Sequence, residues 1–197
     1  MRRFFLTLAM MASMLVSMAQ ITTPAVEVKP DTDPKYLEGA VPVVDGLVVF
    51  TRTVSLPKDI SHKEVMTKME AWLDRCMKDD RIHESVRLPD SNSNQLQQTC
   101  TMEVTFSKSF LSHDFTEMTY VLSLTAEKNQ IVIEMSHIYY RYRTGDKMEK
   151  YKAEEWITDE VALNKKHTKM IYGFKKFRMK TIDMVDEFQA SLQKEFN

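Results

Sequence analysis

Apolar and polar residues alternate from residue 47 to residue 56, and this two-residue period predicts a β-strand. Its predicted buried face consists of Val48, Phe50, Val54 and Leu56. From Ser61 the apolar spacing changes to threes and fours, which predicts an amphipathic helix as far as Lys78. Ser61 and Glu64 have the spacing of a capping box, the pattern that satisfies the first free amides of a helix.

Four further alternating segments follow this helix and predict four strands. They are Ile82–Leu88, Leu96–Phe106, Met118–Leu124 and Ile131–Arg143. The turns predicted between them, at residues 89–92 and 127–130, are short, so neighbouring strands should be antiparallel. In the last strand both faces carry apolar residues, and the face with Tyr140 and Tyr142 is too apolar to be simply solvated.

Helical spacing returns in the last 45 residues of the chain. Residues 153–166 predict a short or broken helix, and Tyr172–Glu195 predicts a long one. The predicted order is β-α-β-β-β-β-α. The economical packing for this order is an α+β fold, in which a five-stranded antiparallel sheet carries two helices on one face.

The N-terminus has the pattern of a secretory signal. Arg2 and Arg3 precede an apolar run at residues 4–16, and Ser17 and Ala19 supply small residues for cleavage. About 13 apolar residues are too few to span a bilayer, so a membrane anchor or a buried helix is the weaker interpretation. We therefore predict a cleaved signal peptide at 1–19, a flexible tether at 20–34 and a single domain at 35–197.

This prediction places the mature protein outside the cytoplasm, periplasmic or secreted. No cysteine lies near the predicted cleavage site, so the chain should not become a lipoprotein. No later apolar run is long enough to span a bilayer, so no transmembrane segment is expected after cleavage. Five of the 15 methionines lie in the signal, which leaves the methionine content only weak evidence for a Met-lined binding surface.

The charge is nearly balanced, with 27 basic and 28 acidic side chains, which argues against a general polyanion binder. A stretch without any acidic residue between Val161 and Ile182 nevertheless concentrates seven cations. These are Lys165, Lys166, Lys169, Lys175, Lys176, Arg178 and Lys180. One interpretation is a surface that binds an anionic glycan, lipid or envelope protein. The other is a solvated face that Asp183 and Asp186 partly neutralise.

Aromatic and basic residues interleave at positions 139–143, the composition of a stacking platform for sugars or bases. In a strand, Tyr140 and Tyr142 would then face outward while Tyr139 packs inward. Ordinary strand composition explains the same residues. In an exported protein a glycan is a better ligand than a nucleic acid, so no nucleic-acid partner is expected.

Cys76 and Cys100 both fall on predicted apolar faces, and an oxidising compartment would permit a disulfide between them. The alternative is two separate buried thiols. The five histidines lack the spacing of a metal site, and no phosphate loop or nucleophile motif occurs. His113–Asp114 is an isolated pair of a kind that turns commonly contain. We therefore expect no metal, no cofactor and no catalytic residue.

Three stretches resemble one family. They are YLEGAVPVVDGLVVF (Tyr36 to Phe50), EEWITDEVALNKKHTK (Glu154 to Lys169) and KFRMKTIDMVDEF (Lys176 to Phe188). They are similar to a family of uncharacterised exported proteins of Gram-negative anaerobic bacteria, a domain of unknown function. The resemblance implies a fold like that of the TATA-binding protein, together with export. It implies no reaction, and a shared fold is not evidence for DNA binding.

Two classes of function remain open at this point. The first is a non-catalytic binding module of the cell envelope, which uses the open sheet face or the cleft between the sheet and the last helix. A helix-grip-like lipid carrier with an apolar cavity is a variant of it. The second is an envelope hydrolase with a discontinuous site. A cleft lined by acidic groups or histidines with perturbed pKa would favour the enzyme, and an apolar cleft would favour binding.

Overall fold

The computed structural model describes residues 30–88 and 94–197. The strands are β1 Val43–Val44, β2 Leu47–Val48, β3 Phe50–Ser55, β4 Ile82–Arg87, β5 Gln95–Lys108, β6 His113–Ala126, β7 Gln130–Thr144 and β8 Lys147–Lys152. The α-helices are α1 His62–Cys76, α2 Ala153–Trp156, α3 Asp159–Ala162 and α4 Tyr172–Gln193. The predicted signal peptide and the turn at 89–92 lie outside the described residues.

Within the described residues one antiparallel sheet of six strands dominates the molecule. Its order is β3-β7-β6-β5-β4, and β8 pairs with the end of β7 beyond the reach of β3. The strands β1 and β2 form a small separate hairpin. The predicted α+β class with a large antiparallel sheet is confirmed, and the sheet has one strand more than predicted.

The sequence pattern misses β8 because that strand has no buried face. Five of its six residues are exposed, and its sequence, KMEKYK, has no apolar alternation. Such a strand is held by backbone hydrogen bonds to β7 rather than by burial, and hydrophobic periodicity cannot detect it.

Both long helices pack on the same face of the sheet. Ser61 caps α1 as predicted, with its Oγ accepting from the Glu64 amide at 3.2 Å. Trp72 of α1 meets Phe188 of α4 edge to face at 6.0 Å, and its Nε1 donates to Ser191 Oγ at 3.0 Å. These contacts lock the two helices together above the core. None of the described helices has the length and hydropathy to cross a membrane.

A β-bulge in β7 explains why that strand has two apolar faces. His137 has a φ of 52°, and two residues of β7, His137 and Ile138, lie opposite Tyr120 of β6. The extra residue reverses the alternation, so that Ile133 and Met135 before it and Ile138 and Tyr140 after it are all buried.

The N-terminal part of the described chain is packed on the domain. Residues 30–32 and 34–36 form short 3-10 turns. The carbonyl oxygen of Asp31 accepts from the Met170 amide at 2.9 Å, and the Asp31 carboxylate pairs with Lys169 at 3.2 Å. The last residues of the predicted flexible tether are therefore fixed by polar contacts to the segment before α4.

Candidate functional site

A cleft of about 320 Å³ opens between the end of α1, strands β4 to β6 and the second half of α4. The apolar part of its lining, called the floor below, includes Met77, Ile82, Met102, Val104, Met184 and Phe188. Met102 belongs to the buried core, and the other five side chains are partly buried against it. The cleft lies between the sheet and the last helix, one of the two binding surfaces expected from the sequence.

Sulfur atoms are concentrated in and directly below this floor. Cys100 Sγ lies 3.3 Å from Met77 Sδ, and the Tyr120 hydroxyl donates to Met102 Sδ at 3.6 Å. Thioether side chains are flexible and polarisable, and they adapt to ligands of irregular shape. The floor is therefore suited to an apolar or aromatic group rather than to one polar substrate.

Charged residues form the rim of the cleft, and two of them bind each other. Arg81 Nε and Nη2 donate to the two carboxylate oxygens of Asp79 at 2.9 and 2.7 Å. This bidentate pair lowers the pKa of Asp79 and raises that of Arg81. Both groups are thereby held in the charged forms that they already have at neutral pH, so neither can exchange a proton there.

A third rim residue, Asp183, is bound by the N-terminal segment. Lys35 Nζ and the Tyr36 hydroxyl both donate to Asp183 Oδ1, at 2.6 and 2.7 Å. By contrast, Lys180 and Glu187 of the rim form no ion pair within residues 30–88 and 94–197. These two are the charged groups on the rim that remain available to a ligand.

Cys76 and Cys100 are both free thiols in the structure, with Cys100 buried and Cys76 partly buried. Burial raises the pKa of Cys76 to about 11 and that of Cys100 to about 11 as well. Burial also raises the pKa of Tyr120 well above its usual value. All three groups are uncharged at neutral pH, and an uncharged thiol is a poor nucleophile.

The seven cations of the acid-free stretch do not come together on one surface. Arg178, predicted as a surface cation, is fully buried. It donates to the carbonyl oxygens of Tyr36, Leu37 and Ile157 at 2.5 to 2.6 Å and to the Asp159 carboxylate at 2.6 Å. The sequence could not show this burial, because these four acceptors lie 19 to 142 positions away along the chain.

Lys176 is also engaged within the protein. Its Nζ donates to Asp114 Oδ2 and to the Tyr142 hydroxyl, both at 2.7 Å, and lies 4.7 Å from the centre of the Phe106 ring. It therefore fastens α4 to the ends of β5, β6 and β7.

The remaining five lysines are spread over several places. Lys169 pairs with Asp31, and Lys175 lies 5.3 Å from the centre of the Tyr172 ring. Lys165 and Lys166 are exposed before α4, and Lys180 lies on the rim of the cleft. Of the seven predicted cations, Lys180 is the one that the structure brings to this cleft.

The tyrosine pattern has the opposite orientation from the one expected for a stacking platform. Tyr140 is 1% exposed, and its hydroxyl lies 2.7 Å from Thr181 Oγ1. Tyr142 is half-buried and packs edge to face on Phe177 at 5.1 Å. Tyr139 is instead directed toward the opposite face of the sheet, with Lys150 Nζ 4.0 Å from its ring centre. The bulge at His137 causes this reversal.

His113 and Asp114 do not form a catalytic pair, because they bind different partners. His113 Nε2 lies 3.2 Å from Thr105 Oγ1 and 3.3 Å from Glu103. Asp114 accepts from Tyr142 and Lys176. Across the described part of the chain, no group of three or more histidine, cysteine or acidic residues is arranged to hold a metal ion.

Comparison with known proteins places this architecture in a family. A family model described as a domain of unknown function (DUF4468) with TBP-like fold matches residues 50–141. The crystal structure of a DUF4468 family protein from Bacteroides ovatus ATCC 8483 is 35% identical, with a TM-score of 0.76. The match covers 84% of this chain and 95% of that one.

A second solved structure shows the same fold at lower identity. The crystal structure of a TBP-like protein from Parabacteroides distasonis ATCC 8503 is 23% identical, with a TM-score of 0.62. It covers 79% of this chain and 96% of that one. No protein of curated function matches the sequence.

Proposed function

The chain belongs to the DUF4468 family of TBP-like domains, and from this premise we propose that it is a non-catalytic binding module of the bacterial cell envelope. Its binding site is the cleft between α1, the sheet and α4. The ligand is a small amphipathic molecule or an apolar side chain of another envelope protein. Its apolar part contacts the methionine-rich floor, and its polar part meets Lys180 or Glu187 on the rim.

The observation that carries this proposal is the chemistry of the cleft. The floor is apolar, and the titratable groups that have shifted pKa values have shifted away from reactivity. A catalytic cleft requires the reverse, a base or nucleophile whose pKa is moved toward the working pH. A volume of about 320 Å³ is at the lower end of the range for small-molecule sites. It would hold one ring system or a short alkyl chain rather than a whole lipid.

The packing under the first half of α4 favours this cleft over a helix-grip cavity. There Phe177 meets Phe106 at 4.6 Å and Trp156 at 4.4 Å, and Tyr140 closes the same layer. These rings fill the space that a lipid carrier would leave open between helix and sheet.

Location in the envelope is supported by the secretory pattern of residues 1–19, and the absence of cysteine at the predicted cleavage site argues against a lipoprotein. The test is cell fractionation followed by N-terminal sequencing of the purified protein. We expect a periplasmic or secreted chain that begins at Gln20. A cytoplasmic chain that begins at Met1 would contradict this part of the proposal.

The binding site is tested by native mass spectrometry of the protein purified from its host, followed by titration with anilinonaphthalene sulfonate. This dye has apolar rings for the floor and a sulfonate for Lys180. We expect one equivalent to bind, with bound dye fluorescing strongly. Met184→Trp should fill the cleft and weaken dye binding about tenfold or more, since a ligand of this size has few other contacts.

Ala190→Trp provides the matched control, because Ala190 is an exposed residue of the same helix outside the cleft. It should leave dye binding unchanged. Equal dye binding by parent and Met184→Trp would contradict the proposed site. Hydrolysis of an ester or glycoside probe that Met184→Trp abolishes would favour the enzyme instead.

A further inference from the structure

The turn between β5 and β6 carries two large apolar side chains that project into solvent. Phe110 is 101% exposed and Leu111 is 90% exposed. The turn is closed below them by the Ser109 amide, which donates to the Ser112 carbonyl oxygen at 2.8 Å. One exposed apolar residue is ordinary, but two adjacent ones at the tip of a hairpin form a protruding apolar patch.

The neighbouring hairpin ends beside this tip. Glu117 of β6 pairs with Arg141 of β7, so the start of β6 and the end of β7 lie at the same end of the sheet. A shallow depression joins the two ends, and Ser112, Arg143 and Met148 are among the residues that line it. Met148 is 43% exposed and adds apolar surface.

Basic side chains surround the apolar tip. Lys108, Arg143 and Lys147 are exposed, and none forms an ion pair within the described part of the chain. Of the nearby carboxylates, Asp114 is bound by Lys176 and Glu117 by Arg141, whereas Asp146 in the β7–β8 turn and Glu149 of β8 form no ion pair in the described part of the chain. Three unpaired cations against these two unpaired carboxylates leave this end of the sheet with a small net positive charge.

We propose that this end of the sheet docks on an anionic lipid bilayer, with Phe110 and Leu111 inserted among the headgroups. Lys108, Arg143 and Lys147 then bind lipid phosphates around the inserted pair. Apolar side chains that enter the interface together with cations that face anionic lipids are the two components of reversible membrane binding. This function goes beyond ligand binding in the cleft and does not depend on it.

The shape of the tip favours a bilayer over a protein partner. A stable protein interface buries about 800 Å² on each side and needs a broad, complementary surface. Phe110 and Leu111 instead project from a narrow turn flanked by Ser109 and Ser112. Such a narrow apolar tip can insert into a bilayer, because the headgroup region deforms around the inserted side chains.

The first test is co-sedimentation of the protein, in the form that its host produces, with lipid vesicles. One set contains phosphatidylcholine alone, and the other contains phosphatidylcholine with phosphatidylglycerol. We expect binding about tenfold stronger to the anionic vesicles at low salt. The double variant Phe110→Ser, Leu111→Ser should bind them about tenfold more weakly than the parent, because it removes the inserted apolar surface.

Two further variants separate the contributions. Lys108→Glu with Lys147→Glu should abolish the preference for anionic vesicles. Val86→Ser is the matched control, since Val86 is a 50% exposed apolar residue in β4, remote from the tip, and it should bind as the parent does. The two tip side chains are exposed rather than packed in the core, so the serine variants should fold normally, with unchanged circular dichroism.

Insertion itself is tested by Phe110→Trp, after subtraction of the parent emission from Trp72 and Trp156. We expect a blue shift on anionic vesicles and quenching by lipids brominated near the headgroup. The proposal is overturned if neither vesicle type is bound, or if the double serine variant binds as tightly as the parent. It is also overturned if the parent forms a dimer that the double serine variant loses, because the tip would then be a protein interface.

Discussion

Arg178 and Asp159 form an ion pair whose guanidinium is completely buried, with Nη2 2.6 Å from Oδ1. The same guanidinium donates to the backbone carbonyls of Tyr36, Leu37 and Ile157. One side chain therefore joins α4, the segment before α3 and the N-terminal turn. A cation taken from water needs this many acceptors, because an incomplete set would leave buried charge unpaired.

Arg178→Lys should destabilise the protein strongly, by about 3 kcal/mol or more. An ammonium cannot reproduce the planar fork that reaches four acceptors on two other segments of the chain. The free energy of unfolding from urea denaturation, followed by circular dichroism, measures the loss. Lys165→Ala, at an exposed cation of the same basic stretch, is the control and should lie within about 0.5 kcal/mol of the parent. Equal stability of Arg178→Lys and the parent would contradict the proposed role.

His137 should tolerate glycine but not a β-branched residue. Its φ of 52° lies in the left-handed region, where a branched Cβ clashes with the backbone. His137→Val should therefore cost about 1 to 2 kcal/mol, whereas His137→Gly should be close to neutral. Glu84→Val is the control, since Glu84 is exposed on β4 and has no positive φ. Thermal and urea denaturation of the three variants check the order, and equal stability of His137→Val and His137→Gly would disprove the bulge.

Alkaline pH should destabilise the protein through its two thiols, of which Cys100 is buried and Cys76 partly buried. Burial raises the pKa of Cys76 and Cys100 from an ordinary value of 9.0 to about 11 in the folded state. Well below pH 9 both thiols are protonated in the folded and the unfolded chain, so their contribution to stability is fully present there. Between pH 9 and 11 the thiols ionise in the unfolded chain before they ionise in the folded one. Stability therefore falls, by about 1 to 2 kcal/mol per thiol.

Urea denaturation at pH 7, 9, 10 and 11 tests this dependence. Cys76→Ala should reduce the fall between pH 9 and 11, while Met66→Ala, another partly buried residue of α1, should keep the parent slope. The thiols should also react slowly with iodoacetamide at pH 8 until the protein is denatured. Rapid alkylation of the native protein at pH 8 would show that the thiols are not protected by burial.

Local patterns in the sequence were sufficient for the main elements of the fold. The alternation around Phe50 and the helical spacing around Trp72 and Val185 each follow from burial of one face. Because an element buries one face, its apolar residues recur with the period of that element, and this period is visible in the sequence. The strand β8 was missed because its residues are exposed and do not alternate between apolar and polar.

The candidate sites were predicted less well, because each depends on contacts between distant segments. The basic stretch was visible in the sequence, but the burial of Arg178 depends on carbonyls from two other segments. The tyrosine pattern was visible too, but one bulged residue at His137 reversed which tyrosines face the core. The position of the cleft between the sheet and the last helix was predicted, but the sulfur-containing residues of its floor could not be identified from the sequence.

For this protein the sequence alone determined the α+β class, the limits of the long helices and the absence of familiar catalytic motifs. The tertiary structure decided which cations remain unpaired, as Lys180 and Lys108 do. It also decided which are paired within the protein, as Arg178 and Lys176 are. The physical reason is the distance along the chain between the residues that interact. Burial along one face repeats every two to four residues, whereas charge pairing and clefts join side chains more than 100 positions apart.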